Sequence, residues 1–295
     1  MNKNGGFIFL GNSILQVEVA LPGTFYKGSR FDWNGFVTQV TLDGKHSFCV
    51  PESLIPGEGS GGYGLCGEFG IHEPIGYCET ETGGYFPKLG VGNVLKSDDS
   101  KYDFFRRYNF TPYGTMVKKK DNFIEFSQKA ANDNGYTLKY YKKITLEGTS
   151  LKMEYFLKNT GRKAIHTTEY CHNFIGIDNE KVGKGYVLKF PYDIVTDKMT
   201  EQIVYKNDNN FSWKDEEWDG QFYCIIKGYG SGKDCSWDLY NMPSKAGVKE
   251  YDSFRPVKIA LWGMKHVVCP EVFIDIRLDP GEELGWARNY SFYAE

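Results

Sequence analysis

The stretch TTEYCHNFIGID, residues 167–178, places one of the chain's five histidines between a cysteine and an asparagine, in a run that otherwise reads as a buried strand. Side chains alternate across a strand, so Thr168, Tyr170, His172 and Phe174 share one face and Glu169, Cys171 and Asn173 share the other. His172 therefore keeps aromatic company. That suits a core imidazole satisfied by a neighbouring carbonyl, and it also suits a proton donor walling a small pocket. The strand by itself favours the core role. A second group changes the balance. In HVVCPEVFIDIRLDPGEE, Glu271 directly follows Pro270 between two apolar runs. Proline cannot donate to a sheet ladder, so a bulge, an edge or a strand start is expected there, and such irregularity re-aims a neighbouring side chain. A carboxylate in so apolar a setting needs a partner or a function, and a strand-end salt bridge meets that need as well as chemistry does. An imidazole and a carboxyl, ordinarily near pKa ~6.5 and ~4.3, form an acid–base couple that modest burial can poise near neutral pH.

The elements that would carry these two groups are strands. Helical periodicity is almost absent and period-two alternation recurs along the chain. Residues 37–49, VTQVTLDGKHSFC, read as two short strands around Asp43-Gly44, a strong hairpin signal. From 136 onward a meander is expected: YTLKYYKKITL, the turn EGTS, then SLKMEYFLK with Leu151, Met153, Tyr155 and Leu157 on one face. Asn159-Thr160-Gly161 then turns the chain into KAIHTTEYCHNF. The end repeats the device with VKIALW, VVCPEVFIDIRL, the turn DPGEE, and LGWARNYSFY. Segments 51–70 and 206–220 read as loops. The first is glycine-rich but lacks the Gly-Lys-Ser/Thr ending of a phosphate-binding loop. Strands so spaced predict an all-β fold, two large twisted antiparallel sheets, in a single domain over residues 1–295.

Composition narrows the chemistry. The 295-residue chain carries a net charge of −3 with 25% charged residues and no basic run, so no nucleic-acid or membrane partner is expected. Aromatics make up 16% of the residues, and 34 glycines outnumber 11 prolines. That mixture suits strands joined by tight turns, with rings packing a core or lining a sugar-sized cleft. The seven cysteines (49, 66, 78, 171, 224, 235 and 269) include no Cys-x-x-Cys pair, so neither a disulfide framework nor a metal site is expected. The first residues, MNKNGGFIFLGNSILQVEVAL, break their apolar run at Gly-Asn-Ser and then alternate like a strand rather than a signal peptide. The chain reads as a cytoplasmic, reduced protein.

The segment NGYTLKYYKKITLEGTSLKMEYFLKNTGRKAIHTTEYCHNF, followed much later by CPE and LDPGEELGWARNYSFY, resembles the galactose mutarotase-like family of aldose 1-epimerases and hexose mutarotases. The stretch YKGSRFDWNGFVTQVTLDGK resembles that family's N-terminal hairpin. The likeness spans most of the chain and rests on the order and spacing of three segments. It implies a β-supersandwich fold, with His172 in the place of the catalytic histidine and Glu271 in that of the catalytic glutamate. The chain departs from the family in one respect: SDDSKYDFFRRYNF offers no second sugar-contacting histidine. His72 in EFGIHEPIGYCET, flanked by Glu68 and Glu73, is the nearest substitute, which puts galactose itself in doubt as the substrate.

The implied reaction interconverts the α and β anomers of a hexose or related sugar and uses no metal or nucleotide cofactor. A base removes the anomeric hydroxyl proton while an acid protonates the ring oxygen. The ring opens, rotates about C1–C2 and recloses. In this assignment Glu271 is the base and His172 the acid, expected on opposite sides of the ring. Arg30 would serve as a donor to hydroxyls or a phosphate, and Trp33 or Trp262 as a stacking platform. Packing or surface roles are the simpler expectation for each of these three. Two other functions fit the same scaffold: a non-catalytic carbohydrate-binding protein, and a glycoside-processing enzyme pairing Glu271 with Glu68 or Glu73.

Overall fold

Period-two sequence becomes strand here because each strand buries alternate side chains against a second sheet. In the computed structural model, which describes residues 5–132, 134–198, 200–230 and 236–295, Leu151, Met153, Tyr155 and Leu157 are all buried, as their alternation predicts. Among the described residues there are two large antiparallel sheets and one small one. Across the first sheet the main strands run Phe36–Leu42, Leu65–Phe69, Ile165–Asn173, Val267–Leu278, Lys258–Met264 and Phe222–Lys227. The second runs Ser236–Asn241, Ala246–Asp252, Glu283–Ala294, Ser150–Asn159, Thr137–Glu147 and Phe123–Ala131, with further short strands at the edges. A three-stranded sheet of Tyr85–Lys88, Gly92–Leu95 and Phe110–Pro112 forms a separate ladder beside the strand Phe123–Ala131, to which Asn93 bonds at the Ala131 carbonyl. The hairpin signal at Asp43-Gly44 is matched by a turn in which both residues have positive φ (54° and 64°), the backbone that Asp-Gly tolerates.

Four local expectations need correction. Segment 51–70 is a loop only in its first part, because Leu65–Phe69 is a strand in the interior of the first sheet, paired with Ile165–Asn173. Segment 206–220 is not a loop throughout, because Ile203–Asn207 and Asn210–Trp213 form a hairpin. Its alternation is too short to stand out in sequence. The meander also does not continue through Asn159-Thr160-Gly161. The strand Ser150–Asn159 belongs to the second sheet and Ile165–Asn173 to the first. The chain changes sheet again between Val267–Leu278 and Glu283–Ala294. One buried side chain serves both crossings: the Asn159 amide donates to the carbonyls of Lys163 (2.8 Å) and Leu278 (3.0 Å). Backbone bonds from Asn159 to Glu282 and from Gly281 to Asn159 complete the junction.

Pro270 is likewise neither at a bulge nor at a strand start nor at an edge. It sits inside a central strand, opposite Leu261 on one side. On the other side the ladder to Ile165–Asn173 lapses between the Tyr170/Phe273 pair and the Ile175/Val268 bridge, with no change of register. The missing N–H accounts for the lapse. The Asn173 amide fills part of it by donating to the Pro270 carbonyl at 2.7 Å. Cys235 lies outside the described residues. The other six cysteines are free, and all but Cys78 are buried. No helix among the described residues is long and apolar enough to cross a membrane.

Candidate active site

The unbroken register sets His172 opposite Glu271, on the sheet face turned away from the second sheet. His172 Nε2 lies 3.1 Å from Glu271 Oε1. Both are nearly buried, at 4% and 5% exposure. The imidazole stacks on Phe174 (centroids 3.9 Å apart, planes at 7°), and Phe31 and Trp262 meet it edge-on at 6.0 and 5.4 Å. The two groups are therefore side by side rather than on opposite sides of a bound ring. As cross-strand neighbours they have no room to stand apart.

Burial decides their charge. It pushes the Glu271 carboxyl up to about 8, against the opposing pull of Arg30 and Lys258 and with Glu68 adding to the rise. Burial also holds His172 well below the ordinary histidine range, and the nearby Arg30 charge adds to that. Near neutral pH the contact is thus a single-proton hydrogen bond between a carboxyl and a neutral imidazole, not a pair of full charges. The other ring nitrogen, Nδ1, is buried without a hydrogen-bond partner.

Arg30 anchors the next layer. Its Nε donates to Glu68 Oε2 at 2.9 Å, and its two terminal nitrogens donate to Ser60 Oγ (2.7 Å) and the Tyr170 hydroxyl (3.2 Å). Tyr170 in turn donates to Glu68 Oε2 at 2.6 Å. Glu68 is fully buried beneath this cluster, with the Lys88 ammonium 3.6 Å from its other oxygen. Arg30 also lines a cleft of about 460 Å³, with Tyr26, Gly59, Phe104, Arg106 and Arg107 among its walls. Phe104 lies 4.5 Å over the Arg30 guanidinium and packs on the floor made by Tyr170, Ala260 and Phe273.

The remaining sequence candidates divide. Trp262 is half-exposed beside His172, its indole N–H donating to Gln221 at 2.9 Å. His72 is exposed, edge-on to Phe104 at 6.2 Å. Trp33 is not a platform, because its ring is buried against Phe110 and its N–H is used by the Gly28 carbonyl. Glu73 is also misplaced. It accepts from the Cys78 thiol at 3.3 Å and borders a small cavity with His166, since the turn after Gly70 swings it away. Tyr170, Lys258 and Phe104 were missed. Tyr170 and Lys258 share alternation faces with His172 and Trp262 respectively, which is the one signal that marks them. Phe104 sits in an irregular segment without period. Among the described residues no group of three or more His, Cys, Asp or Glu side chains is arranged to hold a metal.

This architecture is the galactose mutarotase-like β-supersandwich. No family model matches the chain, and no curated protein matches it in sequence. Among solved structures it is similar to the galactose mutarotase related enzyme from Lactobacillus acidophilus, with TM-score 0.64 and 12% identity over 98% of this chain and 97% of that one. It is similar also to a galactose mutarotase-like protein from Lactobacillus casei (TM-score 0.60, 12% identity, 98% and 100% covered). The GalM/aldose epimerase homologue from C. elegans follows, with TM-score 0.57, 11% identity, and 98% and 99% covered. At these identities the likeness is one of fold.

Proposed function

We propose that this protein is an aldose 1-epimerase that interconverts the α and β anomers of a sugar through the Glu271–His172 pair. The observation that carries the reading is the 3.1 Å contact between a raised carboxyl and a depressed imidazole on an aromatic-lined sheet face. Perturbed acid–base couples of this kind are concentrated at catalytic sites.

The anomeric hydroxyl oxygen and the ring oxygen are both bonded to C1, so two groups lying side by side can reach both. The pair holds one proton. When it resides on His172, Glu271 is the base that takes the hydroxyl proton and His172 the acid that delivers one to the ring oxygen. Opening breaks the C1–O5 bond, rotation about C1–C2 turns the aldehyde, and reclosure runs the transfers in reverse. The proton count is the same before and after, so the pair is ready for either anomer. The unpartnered Nδ1 is a position whose hydrogen bond a bound hydroxyl would complete.

The test is magnetisation-exchange NMR of anomer interconversion across a panel of aldoses. Glu271→Gln and His172→Asn should each lower kcat by about 10²–10⁴-fold, the range of general acid–base catalysis, with sugar binding retained. Wild-type protein that binds sugar without speeding exchange would make it a binding module instead. Release of reducing ends from an oligosaccharide would make it a glycoside-processing enzyme.

A further inference from the structure

The glycine-rich residues 57–61, GEGSG, take no part in the pair's chemistry, yet they form one wall of the 460 Å³ cleft that Arg30 lines. That wall is built rather than slack. The buried Glu52 carboxylate accepts the Ser60 N–H at 2.6 Å, the Gly62 N–H at 3.1 Å and the Ser60 hydroxyl at 2.8 Å. Gly57, Gly59 and Gly61 have φ of 87°, 71° and 83°, and a β-carbon at Gly59 would meet the Glu52 carboxyl at 2.9 Å. Glycine there keeps the backbone bare, so a ligand can lie directly against it. The other walls carry rings. Phe105 is 63% exposed, with its centroid 4.2 Å from that of Phe104 and 5.6 Å from the Arg30 guanidinium. Cleft and pair share side chains. The Arg30 charge acts on both His172 and Glu271, and Phe31, 4.6 Å from that guanidinium, meets His172 edge-on. Phe104 lines the cleft and packs on the floor that includes Ala260, the residue opposite Glu271.

The charges of the cleft point to a neutral occupant. Successive backbone N–H groups in a glycine-rich loop are the usual cradle for an anion, but those of Ser60 and Gly62 already hold the Glu52 carboxylate, which would repel one. Arg30 is matched by Glu68 at 2.9 Å and Arg106 by Asp98 at 2.6 Å. Lys27, Glu58 and Arg107 stand exposed on the walls, of both signs and screened by solvent. What the cleft offers a ligand is an open phenyl face, a bare backbone and planar N–H donors. A pyranose uses all three, laying its C–H face on the ring and its hydroxyls on the donors. The volume lies within the roughly 300–1,000 Å³ that ligand sites occupy.

We propose that this cleft is a second sugar subsite and that the substrate is the reducing end of a neutral oligosaccharide. The terminal unit meets Glu271 and His172, and the next unit lies in the cleft against Phe105. The inference rests on the aldose 1-epimerase reading for the placement of the terminal unit. The anomeric carbon and ring oxygen of that unit face the pair, so the linkage to the next unit leaves from the far side of its ring.

The experiment measures binding by calorimetry and anomer exchange by NMR for glucose, maltose, cellobiose and isomaltose, with wild type, Phe105→Ala and Phe105→Trp. At least one disaccharide should bind about tenfold more tightly than glucose, the effect of one stacked ring. Phe105→Ala should shrink that ratio to within about twofold and Phe105→Trp should keep it, with Tm confirming that both variants fold. Neither added salt nor inorganic phosphate should change the ratio, because the ligand is neutral. Equal binding of glucose and all three disaccharides overturns the inference, as does a Phe105→Ala loss that is the same for glucose and for the disaccharides. Displacement of the disaccharide by phosphate also overturns it and assigns the cleft to an anion. A disaccharide preference without any acceleration of exchange leaves the subsite standing and overturns the epimerase reading alone. Accelerated exchange of glucose without a disaccharide preference does the reverse.

Discussion

At the scale of single residues, the chemistry depends on a pair that holds one proton. Above about pH 8 the Glu271 carboxyl loses it, leaving a base with no acid beside it. Activity should therefore fall as pH rises through that value. On the acid side a second proton reaches His172 only below the ordinary histidine range, because burial disfavours the imidazolium. The expected kcat/KM profile is a bell whose alkaline limb lies near 8, and it can be read from exchange rates between about pH 5 and pH 10. A profile still rising at its alkaline end would remove the shared proton from the mechanism. Conventional histidine–glutamate ion pairing would instead place the alkaline limb at the histidine and leave the carboxyl ionised throughout.

At the scale of elements, Asn159 and Pro270 together set the pair in place. Asn159 ties the two points at which the chain changes sheet, and so brings Ile165–Asn173 and Val267–Leu278 to one neighbourhood. Asn159→Ala takes this donor from the buried Leu278 carbonyl and the part-buried Lys163 carbonyl and should cost about 1–3 kcal/mol in all, measured by urea unfolding. A loss under about 0.5 kcal/mol would show that the junction holds without that amide. The segment carrying Phe104 behaves differently. Its backbone has few ladder bonds: Asp103, Phe105 and Arg106 are tied to one another and to Tyr108, and the Arg106 guanidinium reaches only the neighbouring turn at Ser97, Asp98 and Ser100. Regions so constructed open more readily than strands. Phe104→Ala should uncover the floor above Tyr170 and Phe273 and speed modification of His172 by diethyl pyrocarbonate several-fold, with little change in Tm. An unchanged rate would mean that Phe104 does not screen the pair.

At the scale of the whole molecule, a charged network lies between the sheets, on the face opposite the site. Arg288 is fully buried and reaches Glu169 at 2.7 Å, Asp252 at 3.3 Å and Glu250 at 3.4 Å. Glu250 also takes hydrogen bonds from Trp237 (2.6 Å), Asn173 (3.0 Å) and Tyr290 (3.0 Å). One guanidinium cannot balance three carboxylates. Burial raises both Asp252 and Glu250, and Glu250 itself lifts Asp252 further. These groups bind protons more tightly folded than unfolded. Their contribution to stability is complete below the ordinary carboxylate range and is lost as pH rises toward the folded values. Tm should accordingly decline toward alkaline pH, and Asp252→Asn, which imitates the protonated form, should flatten that decline. An identical slope in the variant would sink the assignment. Arg288→Met leaves the carboxylates uncompensated and should cost about 3–5 kcal/mol of unfolding free energy.

Local pattern was enough to read strands, faces and candidates. The alternation of Leu151, Met153, Tyr155 and Leu157, the Asp43-Gly44 turn, the shared face of Tyr170, His172 and Phe174, and a glutamate stranded in apolar sequence are all visible within a few residues. Each reflects a preference that a strand or turn satisfies by itself. Everything that depends on which strand lies beside which was hidden. The sheet changes at Asn159, the hairpin at 203–213, the commitment of Trp33 to packing and the departure of Glu73 follow from contacts between segments remote in the chain. So does the position of Glu271 against His172 rather than across a cavity from it. A sequence states the side chain and the face. Only the register between distant strands, set by what the two sheets bury together, determines the partner that each side chain meets.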